Sequence, residues 1–269
     1  MRRNAKSRVA LSLAALFLIA AALLAGYLCY CRQAAQTSPS PNAPEVEEVA
    51  AQEDGEADDG FPEVDWAYWK SINQDIIGWV TVPGTTINSP ILQAHADAPE
   101  YYLHHDVYGN YNPHGAIYLD AECEELGLSS RNAVIMGHHF GYDTVSAPFG
   151  IIASYKDKAF ASEHATVLIQ TPNAKMTYEV RFAQIVNGLE PSKRTSFVDD
   201  ADFRDWYDSA KDDAAMVLDA DTEPGQTVSL VTCSYNFWVK NERTVLVTSD
   251  AQETEQNRSE NAEITPDNL

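Results

Sequence analysis

Eight short runs rich in apolar and β-branched residues mark the middle of the chain: Gly78–Val82, Ile87–Gln93, Gly115–Leu119, Asn132–Met136, Thr166–Thr171, Met176–Val186, Thr227–Thr232 and Thr244–Thr248. Strand-like alternation bounded by turn signals is the mark of β-structure. Pro83-Gly84, Asn88-Ser89-Pro90 and Pro172-Asn173 supply the breaks. Eight such runs predict a mainly β body, a closed or nearly closed barrel. Two segments follow a helical period instead. Val64–Ile72 places Trp66, Trp69 and Ile72 on one face. Asp199–Leu218 does the same with Phe203, Trp206, Tyr207, Ala210, Ala214, Val217 and Leu218. Ser196 and Asp199 are its candidate N-caps, and Pro224-Gly225 closes the insertion.

A third apolar stretch is of another kind. Val9–Tyr30 carries no charge and as a helix would be about 33 Å long, enough to cross a bilayer's hydrocarbon core. With Arg2, Arg3, Lys6 and Arg8 before it, it reads as an uncleaved signal anchor with a cytoplasmic N-terminus and an exported body. Cleavage after Ala34-Ala35 is the alternative. The chain thus divides into a basic tip and anchor (1–31), an acidic Pro/Ala/Glu-rich spacer (32–62), a folded body (63–250) and a polar tail (251–269).

Charge narrows the partners. The net formal charge is −22, and the first 31 residues hold four bases and no acid. The remainder therefore sets 40 acids against 14 bases, a net of −26. Such a surface does not attract nucleic-acid phosphates. Nor is there a metal cluster, phosphate loop or dinucleotide motif, so no cofactor is expected.

Cys29 and Cys31 fall at the outer end of the anchor and read as apolar filling. Cys123 and Cys233 lie in the body, where a disulfide between them is one option and burial as small hydrophobes another. The surroundings of Cys233 favour a third. It sits at the exit of one predicted strand, and Arg243 at the entrance of the next. A thiol attacks as thiolate, which cations stabilise, and a guanidinium suits an oxyanion beside the sulfur. A cysteine nucleophile also needs a proton donor for the leaving amine, most often histidine. His95, His104, His105, His114 and His164 lie in polar stretches. His138 and His139 instead follow a buried-looking strand and Gly137, which would hold them at a barrel rim.

The run NAVIMGHH, then SLVTC, then Arg243 resembles the sortases, membrane-anchored cysteine transpeptidases of Gram-positive bacteria. DIIGWVTVPGTTINSPILQ, YYLHHD and GAIYLD are similar to the early strands of class B, which also has the N-terminal helix and the helix before the nucleophile's strand. The one departure is Ser229, where the family motif has threonine. The resemblance implies an eight-stranded sortase-type barrel. Within it Cys233 is the nucleophile, His138 the general acid/base and Arg243 the oxyanion or substrate clamp. Thr232 is either a substrate contact or a strand-filling residue. Lys193 and Arg194, a rare basic pair before the inserted helix, are candidate substrate contacts or an ordinary solvated loop. The implied partners are secreted proteins with a C-terminal sorting signal and an amine from a peptidoglycan precursor or a pilin. The rivals are an exported cysteine peptidase or amidase and a non-enzymatic anchored barrel. In the former, cysteine usually precedes histidine, the reverse of the order here.

Overall fold

The computed structural model describes residues 59–140, 147–188, 193–235 and 241–251. Val9–Tyr30, Cys29, Cys31, Ser192 and nearly all of the spacer and tail lie outside them. Among the described residues no helix is long and apolar enough to cross a membrane.

In chain order the strands are β1 (Ile76–Thr81), β2 (Asn88–Gln93), β3 (Tyr118–Leu119), β4 (Asn132–Met136), β5 (Thr166–Gln170), β6 (Lys175–Asn187), β7 (Met216–Val217), β8 (Pro224–Ser234) and β9 (Glu242–Ala251). Their hydrogen-bonded order is β1-β2-β3-β4-β8-β9-β6-β5, and β5 returns to β1 through Trp79 opposite Gln170. Eight strands therefore close into a barrel, as the alternating runs predict. The two-residue β7 hangs on the outside of β6. Closure removes the sheet edge and its unpaired backbone groups.

The strands carry wholly buried core residues, Val134, Ile135, Phe182, Leu230, Leu246 and Val247 among them. Each such side chain contributes roughly 1.5–3 kcal/mol by leaving water. A second cluster lies on the outside, where Trp69 of α1 (Trp66–Ile72) meets Trp79 with ring centroids 5.3 Å apart. Asp65 caps that helix by accepting from the Tyr68 N–H.

Most pairings in the barrel are antiparallel, but β2–β3 and β4–β8 are parallel. The second of these matters for function. Asn132 lies opposite Thr227 and Met136 opposite Val231, so β4 and β8 leave the barrel side by side at one rim.

The inserted helix is shorter than its apolar period predicts. α3 spans Asp200–Asp212, with Asp199 as the N-cap accepting from the Asp202 N–H. Ala215 and Leu218 donate their N–H groups to the carbonyls of Ala183 and Arg181, and β7 forms between them. Pairing with the exposed flank of β6 satisfies those backbone groups and outcompetes further helical turns. Neither α2 (Lys158–Glu163) nor the 3-10 segment before it (Pro148–Lys156) follows from the apolar pattern. That segment's apolar residues are too mixed in period to announce themselves, yet Phe149, Ile152 and Tyr155 are core residues.

Candidate active site

Where the β4–β8 ladder ends, side chains take over from the backbone in holding the two strands together. The Gly137 N–H still donates to the Val231 carbonyl at 3.3 Å. The Thr232 hydroxyl then donates to the Gly137 carbonyl at 2.8 Å. His139 Nδ1–H donates to the carbonyl of Cys233 at 2.7 Å, and the Tyr235 hydroxyl to the carbonyl of His139 at 3.0 Å. Gly137 is required here for space: a Cβ on it would lie 2.7 Å from the Phe149 side chain. These crossed bonds fix residues 137–139 beside residues 232–235. Two chain segments far apart in sequence share one rim.

Cys233 is a free, half-buried thiol, and in the β8–β9 register it stands directly opposite Arg243. Side chains of facing residues on adjacent antiparallel strands have Cβ atoms about 4.5–5.5 Å apart. Arg243 also faces Val186 on β6, and Gly188 just beyond β6 makes room for it. A Cβ at Gly188 would come within 3.3 Å of both Cγ and Cζ of the arginine. Two phenols sense this pair. Burial raises the pKa of Tyr118 most, followed by negative charge at Asp120, Glu100 and Cys233, with Arg243 opposing. Burial likewise raises Tyr235, again with Cys233 adding and Arg243 opposing.

His138 is held by its far side: Nε2–H donates to the Leu103 carbonyl at 2.8 Å. That bond fixes the tautomer and leaves Nδ1 as the nitrogen available to accept a proton. Burial holds its pKa below the usual histidine value. The Leu103 carbonyl opposes the shift, and the positive charges of His104, His114 and Arg243 reinforce it. Neutral imidazole is thus the favoured form at neutral pH.

The structure brings Cys233, Arg243, His138 and Thr232 to one rim, with Thr232 only 1% exposed. It does not bring Lys193 and Arg194 there. Arg194 offers its carbonyl to the Asn132 side chain at 2.8 Å, at the opposite end of β4, roughly 20 Å along the strand from His138. Lys193 is spoken for by Asp120 at 2.5 Å and Glu122 at 3.3 Å, and Arg194 by Asp202 at 2.5 Å. The pair pins the segment before α3 beside a surface cavity of about 410 Å³. Leu103, Gly188, Tyr118 and Tyr235 are the neighbours that sequence reasoning missed. The glycine carried a signal, since it ends a strand run, whereas a carbonyl contact from Leu103 leaves no trace in residue identity. Among the described residues no group of His, Cys, Asp or Glu side chains could hold a metal ion.

Comparison with known proteins shows relatives of one family and fold. The model of the sortase domain matches residues 80–251. Sortase B of Staphylococcus aureus is 27% identical over 179 residues, which cover 66% of this chain and 71% of that protein. Sortase B of Listeria monocytogenes is 26% identical over 167 residues, or 61% and 65% of the two chains. Among solved structures, sortase B of Clostridium perfringens superposes with a TM-score of 0.60 at 26% identity, covering 68% of this chain and 97% of that one. The S. aureus sortase B–substrate complex shares the fold, with a TM-score of 0.60 at 23% identity over 70% and 85% of the two chains.

Proposed function

The chain belongs to the sortase family, as a class B cysteine transpeptidase, and from that premise we propose that Cys233, His138 and Arg243 carry its reaction. The observation that bears most weight is the register placing Cys233 opposite Arg243 on a rim shared with His138. In the first half-reaction Cys233 gives its thiol proton to neutral His138, and the resulting thiolate attacks a backbone carbonyl within a C-terminal sorting signal. The Arg243 guanidinium meets the negative charge that develops on the carbonyl oxygen. Collapse breaks the C–N bond, the departing amine takes its proton from His138, and a thioester remains. In the second half a primary amine attacks the thioester and gives a proton to His138, the C–S bond breaks, and the departing Cys233 sulfur takes that proton back from His138. The acceptor amine is one from a peptidoglycan precursor or a pilin.

The lowered pKa of His138 suits both halves unequally. It favours the neutral ring that accepts a proton from the incoming amine, and it makes the protonated ring a stronger acid than an ordinary imidazolium in the first half. One donor to an oxyanion contributes about 3–4 kcal/mol in sites of this type, or about 10²–10³ in rate. Arg243→Ala should therefore cost nearly as much as loss of the histidine. The reading also places the body outside the cell, tethered through Val9–Tyr30.

The test is to incubate the full chain with a pooled library of candidate sorting-signal peptides and a primary amine, and to follow both by mass spectrometry. The expected result is an acyl adduct on the peptide containing Cys233 and a ligated product that requires the amine. An adduct that persists in Cys233→Ala, or cleavage without any adduct, would overturn the assignment.

A further inference from the structure

We propose that a ring-lined surface running outward from His138, through His104 and Tyr111 to His105 and Tyr101, is where the amine acceptor docks, a primary ammonium carried on a peptide. The proposal rests on the transpeptidase reading above and adds to it the location of the second substrate.

The rings form a continuous series. The centroids of His138 and His104 are 6.4 Å apart, and those of His104 and Tyr111 are again 6.4 Å apart. Tyr111 meets His105 edge-on at 6.1 Å, and His105 lies parallel to Tyr101 at 3.8 Å. Phe140 closes the inner end against His138 at 5.2 Å. At the outer end Tyr111 is 75% exposed and Tyr101 39%. Large aromatic side chains rarely stay in water together without a partner to cover them.

The surface is held in shape without that partner. His105 bonds to the Tyr101 carbonyl through Nδ1 at 2.8 Å, and the Asn112 N–H donates to the His104 carbonyl at 2.8 Å. One Asp106 oxygen accepts from the N–H groups of both Tyr108 and Asn110, each at 3.0 Å.

Two observations select the occupant. The first is continuity with the chemistry. The incoming nitrogen must reach His138 to give up its proton, so the rest of the acceptor has to trail over surface adjoining that ring. The flank toward Cys233 and Arg243 belongs to the acyl group, which leaves the ring-lined side. The second is charge. Residues 71–130 contain eight acids and not one lysine or arginine, with Glu100 and Asp106 next in sequence to Tyr101 and His105. Ring faces and carboxylates with no lysine or arginine among them attract an ammonium group.

The experiment uses the full chain, a peptide that it cleaves, and two acceptor probes: Gly-Gly-Gly and a peptide with a free lysine ε-amine. The ratio of ligated to hydrolysed product is followed against acceptor concentration. Tyr111→Ala and Tyr101→Ala should each raise the acceptor concentration needed for half-maximal ligation by about fivefold, as expected for loss of a ring contact to a cation. Tyr111→Phe should restore most of it, and Val198→Ala, a distant and 91% exposed site, should change nothing. Equal loss of ligation and cleavage would overturn the proposal, because the rings would then serve the sorting signal or the fold. An unchanged acceptor dependence would overturn it as well. Failure of the wild-type chain to cleave any peptide would instead strike the underlying function, and so is distinguishable.

Discussion

Thr232→Val separates two roles that the sequence leaves open for the residue before the nucleophile. The two side chains have nearly the same shape, so packing in the 1%-exposed site is kept and only the hydroxyl is lost. What disappears is its 2.8 Å donation to the Gly137 carbonyl, one of the bonds holding β4 to β8 beyond their ladder. Leaving a buried acceptor unpaired costs about 1–3 kcal/mol. Gly137 is half-buried, so water recovers part of this and about 1 kcal/mol is expected. For a body of this size that lowers Tm by roughly 2–4 °C. His138 keeps its Leu103 bond, so the rate of peptide cleavage should fall by no more than about tenfold, equivalent to about 1.4 kcal/mol. Thr232→Ser keeps the hydroxyl and should restore the cleavage rate. Thermal and urea unfolding of the full chain, beside cleavage kinetics, measure both effects. An unchanged Tm with a cleavage rate down by more than about a hundredfold would refute the reasoning and make Thr232 a direct substrate contact.

Cys233→Ala should abolish adduct and ligation, while Cys123→Ala leaves both. Cys123 is buried, its thiol is pushed up by that burial, and its Sγ points to the Asn132 carbonyl at 3.8 Å. Equal loss from both in a ligation assay would contradict the mechanism. His138→Ala should cost about 10²–10⁴ in cleavage rate. His139→Ala should cost far less, through slack at the Cys233 carbonyl, and His139→Asn should recover part of it by restoring a donor near Nδ1; a silent enzyme from the second position alone would reverse the assignment. His95 bridges Glu124 at 2.6 Å and Asp75 at 3.2 Å, and those carboxylates, Glu124 first, raise its pKa above 6.5. A raised folded-state pKa gives stability that is full below about pH 6.5 and lost as pH rises through the folded value. His95→Gln should therefore flatten the decline in Tm above about pH 6.5, and a mutant whose Tm follows the wild-type curve throughout would refute the bridge's contribution.

Much of the architecture was legible because it is local. Asn132–Met136 coincides with β4, since β-branched and apolar residues bounded by Arg131 and Gly137 leave little choice. Asp199 caps its helix as read, because an acid accepting from the first-turn N–H needs only four residues. The far end of that helix was misread for the complementary reason. Ala214, Val217 and Leu218 keep the helical period, but the flank of β6 offers their backbone a better partner. The motif around Cys233 and His138 identified a cysteine transpeptidase, and the family match sets aside the rivals, an exported cysteine peptidase or amidase of a different kind and a non-enzymatic barrel.

Sequence by itself determined the eight runs that form the barrel, the capped start of the inserted helix and the residues able to do thiol chemistry, because side-chain period and residue type act within a few neighbours. Tertiary structure alone decided how those residues are used. The parallel pairing of β4 with β8 brings the segment that carries His138 to the same rim as the one that carries Cys233, and the Leu103 carbonyl, from a segment 35 residues earlier, chooses which imidazole nitrogen is free. It also decided that Lys193 and Arg194 neutralise Asp120, Glu122 and Asp202 rather than face the rim. A charge finds its partner by distance in space, and that distance is set by how the barrel closes, not by position along the chain.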